Sequence, residues 1–421
     1  MSAEPDISST GLPSLAGAEW LRKPATRAVL SALRAAGYEG RVVGGSVRNT
    51  LMGHPVSDLD IATPATPRMV MRACRDAGLA TVPTGLDHGT VTVIADHTPI
   101  EVTTLRRDVE TDGRRAVIAF TDDWAEDARR RDFTINALYC DADGRLYDFV
   151  GGYPDLVARR VRFIGDADQR IAEDYLRILR FFRFHATYAA GEPDPVGLAA
   201  CARGVRGIAR LSAERVRAEL VKLLVAPRAV AAVRAMEDIG LLPALLGVAP
   251  RPDVMEALIT AEADTGQPPD AMLRLSALAI AVSDDIPRIA ARLRLSGEER
   301  RALLVIARSE LAMLGNIDAR RAREIVYREG PAASRRLALA LSSVFPERRS
   351  EAVLLRETAV SWQRPRLPIT GADLIARGIE PGPAIGALLA EVESWWIAAD
   401  FPEREQVLRH LETLIRAQRG A

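Results

Sequence analysis

Two short stretches of this chain carry the side chains that phosphoryl chemistry needs. Val42-Val43-Gly44-Gly45-Ser46-Val47-Arg48 places an arginine one turn after a glycine pair, and Ser57-Asp58-Leu59-Asp60 spaces two carboxylates by one residue. Alternate side chains of a β-strand share a face, so Asp58 and Asp60 point the same way while Leu59 and Ile61 point into the core. Two carboxylates on one face suit Mg²⁺, and an ion held there neutralises a triphosphate, helps ionise an attacking hydroxyl and stabilises departing pyrophosphate. Gly44 and Gly45 lack side chains, so the turn amides can approach phosphate oxygens closely, and Arg48 adds a fork of donors. Singly, each piece reads as an ordinary turn or a solvated strand. In this order and at this separation they read as nucleotidyl transfer.

These residues need a sheet beneath them. Short β-rich runs at 41–43, 59–62, 90–94, 100–105 and 137–140, interleaved with helices over 67–77 and 122–131, predict one α+β unit from about Thr26 to Phe149. After Gly165 strand signals fade. Helical periodicity takes over at 172–189, 212–224, 229–239, 287–293, 297–308, 318–329, 372–377 and 402–417, so the second half is expected to be nearly all α. Connections are expected at 247–252, 266–270 and 364–370, and no internal repeat marks a solenoid. On the 172–189 helix, Asp174, Arg177, Arg180 and Arg183 recur every third residue beside an apolar stripe of Ile178, Leu179, Phe182 and Ala186. A carboxylate and a guanidinium one turn apart offer acceptors and donors in a fixed frame that suits the Watson–Crick edge of a base. The plainer reading is a row of intrahelical salt bridges.

Bulk properties set bounds. A chain of 421 residues with 48% hydrophobic content can build two to four packed units. The 56 basic and 56 acidic residues cancel, so no global field draws nucleic acid and any RNA-binding surface must come from local segregation. Only Lys23 and Lys222 are lysine among the basic residues, a bias that fits GC-rich coding and also suits phosphate contact. Cys74, Cys140 and Cys201 lack zinc or disulfide spacing, which fits a reducing cytoplasm. No apolar run reaches the roughly 18 to 20 residues of a membrane span, and residues 1–23 lack a signal-peptide pattern and are expected to be disordered.

Further blocks follow the first two: Arg130-Arg131-Asp132-Phe133-Thr134-Ile135-Asn136-Ala137, Asp148-Phe149-Val150-Gly151-Gly152-Tyr153-Pro154-Asp155-Leu156, Glu173-Asp174-Tyr175-Leu176-Arg177, and Glu214-Arg215-Val216-Arg217-Ala218-Glu219. In this order they resemble the class II tRNA nucleotidyltransferases, the family of bacterial CCA-adding enzymes and bacterial poly(A) polymerases. The resemblance covers roughly residues 40 to 225 and departs at Asn49, where the family usually has aspartate after the arginine.

The resemblance implies a nucleotidyltransferase head with a small mixed sheet over 24–160, a helical neck over 161–248 and a helical body and tail over 249–421. It implies Mg²⁺ on Asp58 and Asp60, and a nucleotide held by Gly45, Arg48, Arg131, Asp132, Asp174, Arg177, Arg180 and Arg183. Within that set Arg131 would reach the triphosphate and Asp132 a ribose hydroxyl, Asp174 and Arg177 would read cytosine or adenine, and Arg180 and Arg183 would hold phosphate or base. Glu101 is a candidate third carboxylate, with an exposed strand position as its plainer role. A mobile loop at 108–116 would take part in the switch from C to A addition. The implied activity is addition of CMP, CMP and AMP to the 3′ end of tRNA from CTP and ATP. A poly(A) polymerase, a partial CC- or A-adding enzyme, or a catalytically silent RNA-binding protein are the alternatives. Thr84-Gly85-Leu86-Asp87-His88-Gly89-Thr90 resembles the CCA-adding branch. His54, His88, His97, His185 and His410 lack metal-ligand spacing, which argues against an added phosphohydrolase domain. Trp395 and Trp396, in an apolar helical run, are expected in the core.

Overall fold

A computed structural model describes residues 11–112, 115–303 and 308–420, arranged as two compact units, Met1–Gly247 and Val248–Ala421. In the first unit, alternation builds the sheet. Ile61, Val91, Val93, Ile100 and Val102 are buried on one face against helices α2 (Pro24–Ala35) and α4 (Pro67–Asp76). The strands are β1 (Arg41–Val43), β2 (Asp60–Thr63), β3 (Ala80–Gly85), β4 (Thr90–Ala95), β5 (Thr98–Thr104), β8 (Leu138–Cys140) and β9 (Leu146–Asp148). They lie in the order β3-β4-β5-β2-β1-β8-β9. β2 and β5 are parallel, with Asp60 opposite Glu101, and the other neighbours are antiparallel. Helix α3 (Gly45–Met52) leaves the end of β1, so the glycine turn and the carboxylate strand are sheet neighbours.

Three expectations change. Residues 11–23, expected to be disordered, pack instead: α1 (Glu19–Arg22) buries Trp20 and Leu21, Trp20 Nε1 donates to Thr50 Oγ1 at 2.7 Å, and the Leu15 amide donates to the Gly144 carbonyl at 2.7 Å. One tryptophan and two leucines give this segment enough apolar area to dock. Residues 1–10 lie outside the described residues. The loop expected at 108–116 is largely a β-ribbon, β6 (Arg106–Asp112) antiparallel to β7 (Arg115–Phe120), with 113–114 outside the described residues. β3 went unread because Pro83 argues against a strand; it is an edge strand, where a missing N–H is tolerated.

The third change concerns the helix expected over 172–189, which is two helices. After α5 (Trp124–Arg129) and α6 (Gly152–Val157) come α7 (Ala167–Glu173) and α8 (Leu176–Tyr188). Between them Asp174 is extended at φ −155°, its Oδ1 accepting the Leu176 amide at 3.1 Å. An aspartate that caps the next helix with its own side chain offers the backbone an alternative to continuing the first. Asp174 therefore leaves the stripe, and Arg177, Arg180 and Arg183 stay on α8.

The stretches expected as head and neck both lie in the first unit. Phe181 and Phe184 of α8 pack on Phe133, and α9 (Pro195–Gly204), α10 (Ala213–Leu224), α11 (Ala229–Asp238) and α12 (Leu241–Leu246) complete it. The second unit is helical throughout its described residues, from Pro252–Thr265 to Arg404–Gly420; it includes the unforeseen helices Ala271–Ala279, Pro331–Val344 and Arg349–Ser361, and the apolar run of Trp395 and Trp396 is the helix Pro383–Ala398. Trp396 is buried there, as expected; Trp395 is only half-buried and stacks on His410 at 3.9 Å. No helix among the described residues is long and apolar enough to cross a membrane.

Candidate active site

The glycine turn depends on a backbone shape that other residues resist. Gly44 has φ +75°, and Gly45 opens α3, so the first free amides of the helix face out of the turn. Ser46 Oγ donates to the Asp58 carbonyl at 2.5 Å, which ties the turn to the carboxylate strand. A Cβ at Gly44 would lie 3.8 Å from Nη1 of Arg131, so that guanidinium borders the turn. Arg131 is aimed by Asp127, one helical turn earlier, at 3.0 Å, and by the Tyr139 hydroxyl at 3.1 Å. Asp127 is 1% exposed and also accepts from Arg130 at 2.6 Å and Tyr139 at 2.8 Å. Burial alone would push its carboxyl up; Arg131 and Arg130 outweigh that and hold it at about 2.

Arg48 sits differently from the expectation. It is 6% exposed, and its donors go to Asn49 Oδ1 at 2.9 Å, to the Tyr188 hydroxyl at 2.8 Å and to Asn136 Oδ1. Burial lowers its affinity for the proton. Its guanidinium braces the turn from inside and joins it to α8, rather than standing open as a fork. The Asn49 amide donates to the Pro55 carbonyl at 2.8 Å, holding the loop that leads to Asp58. An aspartate there has no N–H to give that carbonyl.

Asp58 precedes β2 and Asp60 opens it, both exposed. Ile61 is fully buried, whereas Leu59, expected in the core, is only half-buried. Glu101 stands exposed beside Asp60 in register. Partial burial, then the Glu101 and Asp58 charges, raise the Asp60 pKa against the opposing pull of Arg131. The three carboxylates border a cavity of about 870 Å³ that also touches Lys23, His54 and Thr92.

The other expected residues sit where α7, α8 and α10 meet the sheet. Asp132 Oδ1 accepts from the Phe133 amide and Asn136, and Oδ2 accepts from Arg180 at 2.7 Å. Arg183 bonds Glu219 of α10 at 2.5 Å, with Arg180 3.6 Å from the same carboxylate. Burial opposes the charge on Asp132, but Arg180 and Asn136 hold its pKa down. Asp174 Oδ2 accepts from Arg215 at 2.6 Å, while Arg177 donates to Glu173 and to the Arg170 carbonyl. The structure thus brings Asp58, Asp60 and Glu101 together in one group and Asp132, Arg180, Arg183 and Glu219 in another. Asp174 and Arg177 meet only through the backbone, the Arg177 amide donating to the Asp174 carbonyl at 2.9 Å, while their side chains bond other partners.

A family model described as "Poly A polymerase head domain" matches residues 40–162, and one described as "Probable RNA and SrmB- binding site of polymerase A" matches residues 193–257. A mouse (Mus musculus) protein named CCA tRNA nucleotidyltransferase 1, mitochondrial, is 35% identical over 89% of this chain and 87% of its own length. A CCA-adding enzyme of Lacticaseibacillus paracasei is 32% identical over 91% of this chain and 94% of its own. This chain belongs to the CCA-adding tRNA nucleotidyltransferases. A Bacillus stearothermophilus CCA-adding enzyme in complex with CTP matches with TM-score 0.72 at 25% identity, covering 94% of this chain and 99% of that one. A Thermotoga maritima CCA-adding enzyme complexed with tRNA shares the fold, with TM-score 0.69 at 20% identity over 92% of this chain and 94% of its own.

For this nucleotidyltransferase, reading the sequence left Asp127, Tyr139, Asn136 and Tyr188 without roles, although all four grip site residues. The four-residue spacing of Asp127 and Arg131 on a helix was a usable signal. Tyr188, 140 positions from Arg48, left none.

Two measurements test this electrostatic frame. Asp127→Ala removes a buried carboxylate, strands two part-buried arginines and should lose about 3 kcal/mol in urea unfolding at neutral pH; a loss under about 1 kcal/mol would make the network incidental. Because the Asp127 value is depressed in the folded state, its contribution is complete above the ordinary carboxylate range and fades as pH falls toward about 2. Glu101→Gln removes a like charge, so carboxyl NMR titration should place half-ionisation of Asp60 at lower pH than in the wild type. An unchanged midpoint would discount Glu101 as a cause.

Proposed function

We propose that this chain adds CMP, CMP and AMP in turn to the 3′ end of tRNA, consuming CTP and ATP and releasing pyrophosphate without a nucleic-acid template. The observation that carries the reading is the seat of Asp58 and Asp60 at the start of the strand beside the Gly44–Gly45 turn, with Arg131 bordering the turn. Relatives that align along almost the whole chain are CCA-adding by name.

The donor set suits Mg²⁺. Among the described residues no group of three or more His, Cys, Asp or Glu side chains forms a ready-made metal site. Mg²⁺ takes one or two carboxylates from a protein and the rest of its shell from water and substrate phosphates. Asp58 and Asp60 would hold it, with Glu101 adjacent, and when bound it supplies charge neutralisation at the phosphates and a more acidic attacking hydroxyl.

The chain's own groups do the rest. The amides at Gly45 and the free edge of Arg131 receive the triphosphate, and Arg48 keeps the turn in shape from within. Asp132 has both oxygens occupied, so it orders the ribose pocket through Asn136 and Arg180. Asp174 and Arg177 read the base: a carboxylate accepts from the exocyclic amine that cytosine and adenine share, and guanidinium donors meet the ring acceptors. Each is paired internally, Asp174 with Arg215 and Arg177 with Glu173, so reading a base exchanges one hydrogen bond for another. Arg180 and Arg183, held by Asp132 and Glu219, set the floor beneath. The helical second unit grips tRNA by shape and backbone contacts. The three cysteines are buried free thiols, Cys74 pushed up to about 11 and Cys140 to about 12 by burial, which suits a reducing cytoplasm.

Labelled CTP and ATP supplied to a tRNA transcript ending at the discriminator base should give three added nucleotides and no more. Asp58→Ala and Asp60→Ala should each cost about 10²–10³-fold or more. A long A tail would make the chain a poly(A) polymerase, arrest after CC a partial enzyme, and no metal-dependent incorporation a silent RNA-binding protein. Asp174→Ala should erode the preference for CTP over UTP by about 10-fold or more; intact discrimination would remove Asp174 from base reading.

A further inference from the structure

The sheet has a second face, and part of it lies uncovered beside the carboxylates. Register aligns Asp60, Glu101, Thr92 and Val82 in one row across β2, β5, β4 and β3. Paired residues on neighbouring strands share a face, so the row looks away from the side that α2 and α4 cover. Val82 is 43% exposed, and Ile94, two residues beyond Thr92 on the same face, is 39% exposed. Thr84 and Thr92 join their hydroxyls at 2.8 Å, and Thr90 and Thr103 at 3.0 Å. Each pair spends one proton internally and keeps one to donate outward.

Position gives this strip a use. In-line displacement puts the attacking oxygen opposite the departing pyrophosphate. The Gly44–Gly45 turn and Arg131 lie on the β1 side of β2, so the attacking hydroxyl must arrive from the β5 side. That side is Glu101, then Thr92 and Val82, with Thr92 about 10 Å from Asp60 across two strand spacings. Hydroxyl donors flanked by aliphatic side chains suit a ribose–phosphate strand without reading its bases, as a primer that changes sequence with each addition requires.

We propose that the open face of β5, β4 and β3 seats the single-stranded 3′ end of the RNA acceptor, with the Thr92–Thr84 pair donating to its backbone oxygens and Val82 and Ile94 lying against its sugars. This assigns a role to the Thr84–Thr90 segment that nucleotide binding leaves unused. It rests on Asp58 and Asp60 being the reacting carboxylates.

The test compares Thr92→Val, which keeps the shape and removes the hydroxyl, and Val82→Asp, an exposed position where a negative charge repels phosphate. With full-length enzyme and tRNA ending in CC, Thr92→Val should lower kcat/KM for tRNA about five- to ten-fold and Val82→Asp by at least as much, with KM for ATP and the melting temperature unchanged. tRNA carrying 4-thiouridine as its last nucleotide should photo-crosslink to the peptide spanning residues 80–104. Wild-type tRNA kinetics in both variants, a matching rise in KM for ATP, or a crosslink outside that peptide would overturn the assignment. Asp58→Ala separates the two readings. If it stays active, the carboxylate assignment fails; if it is inactive while Thr92→Val and Val82→Asp behave as wild type, only the acceptor seat fails.

Discussion

Two adjacent charges, Arg131 and Asp132, fix the geometry on which the rest of the site depends. Arg131 is tied to Asp127 and Tyr139 and borders the Gly44 turn; Asp132 is tied to Arg180 on α8 and to Asn136. Both pairs are largely out of water, where an unmatched charge costs several kcal/mol, so neither side chain can drift without penalty. The proposed phosphate end and the proposed base end of the site are thereby set from consecutive residues. Asn136 links the two ends again, because its Oδ1 accepts from Arg48 inside the turn while its amide donates to Asp132.

The base end follows a different logic. Asp174 caps α8 instead of lying within a helix, and that break is what frees its carboxylate from a regular helical face. Arg215, Glu173 and Glu219 then occupy the neighbouring charges. The proposed base site, which would take cytosine and later adenine, gains from donors and acceptors already satisfied by one another, since exchanging partners avoids leaving a half-buried charge bare at either step.

In the proposed reaction, sheet topology would separate the two substrates. With β2 central, one neighbour, β1, delivers the glycine turn proposed for the phosphates, and the other, β5, delivers Glu101 and the exposed threonine strip. A nucleophile and a leaving group that must lie opposite one another would therefore find different surfaces on the two sides of one pair of carboxylates.

Residue type and spacing alone carry the proposed chemistry. The glycine pair, Asp58 with Asp60, and Asp174 with Arg177 are short-range patterns whose meaning lies in donors, acceptors and strand or helix period, and they place the α+β half before the helical half. The sequence also foretold β1 and the helices that open at Pro67 and Ala213 to within a residue or two, because alternation, proline and capping signals are local. Tertiary structure alone decided which charges meet. Arg48 reads as a phosphate fork until Tyr188 and Asn136, brought from afar, claim its donors. Residues 1–23 read as a disordered start until Trp20 finds Thr50. Asp174 reads as one member of a helical stripe until its own side chain ends that stripe. In each case the deciding contact is a hydrogen bond or buried pair whose stability depends on desolvation, and desolvation is a property of the packed chain.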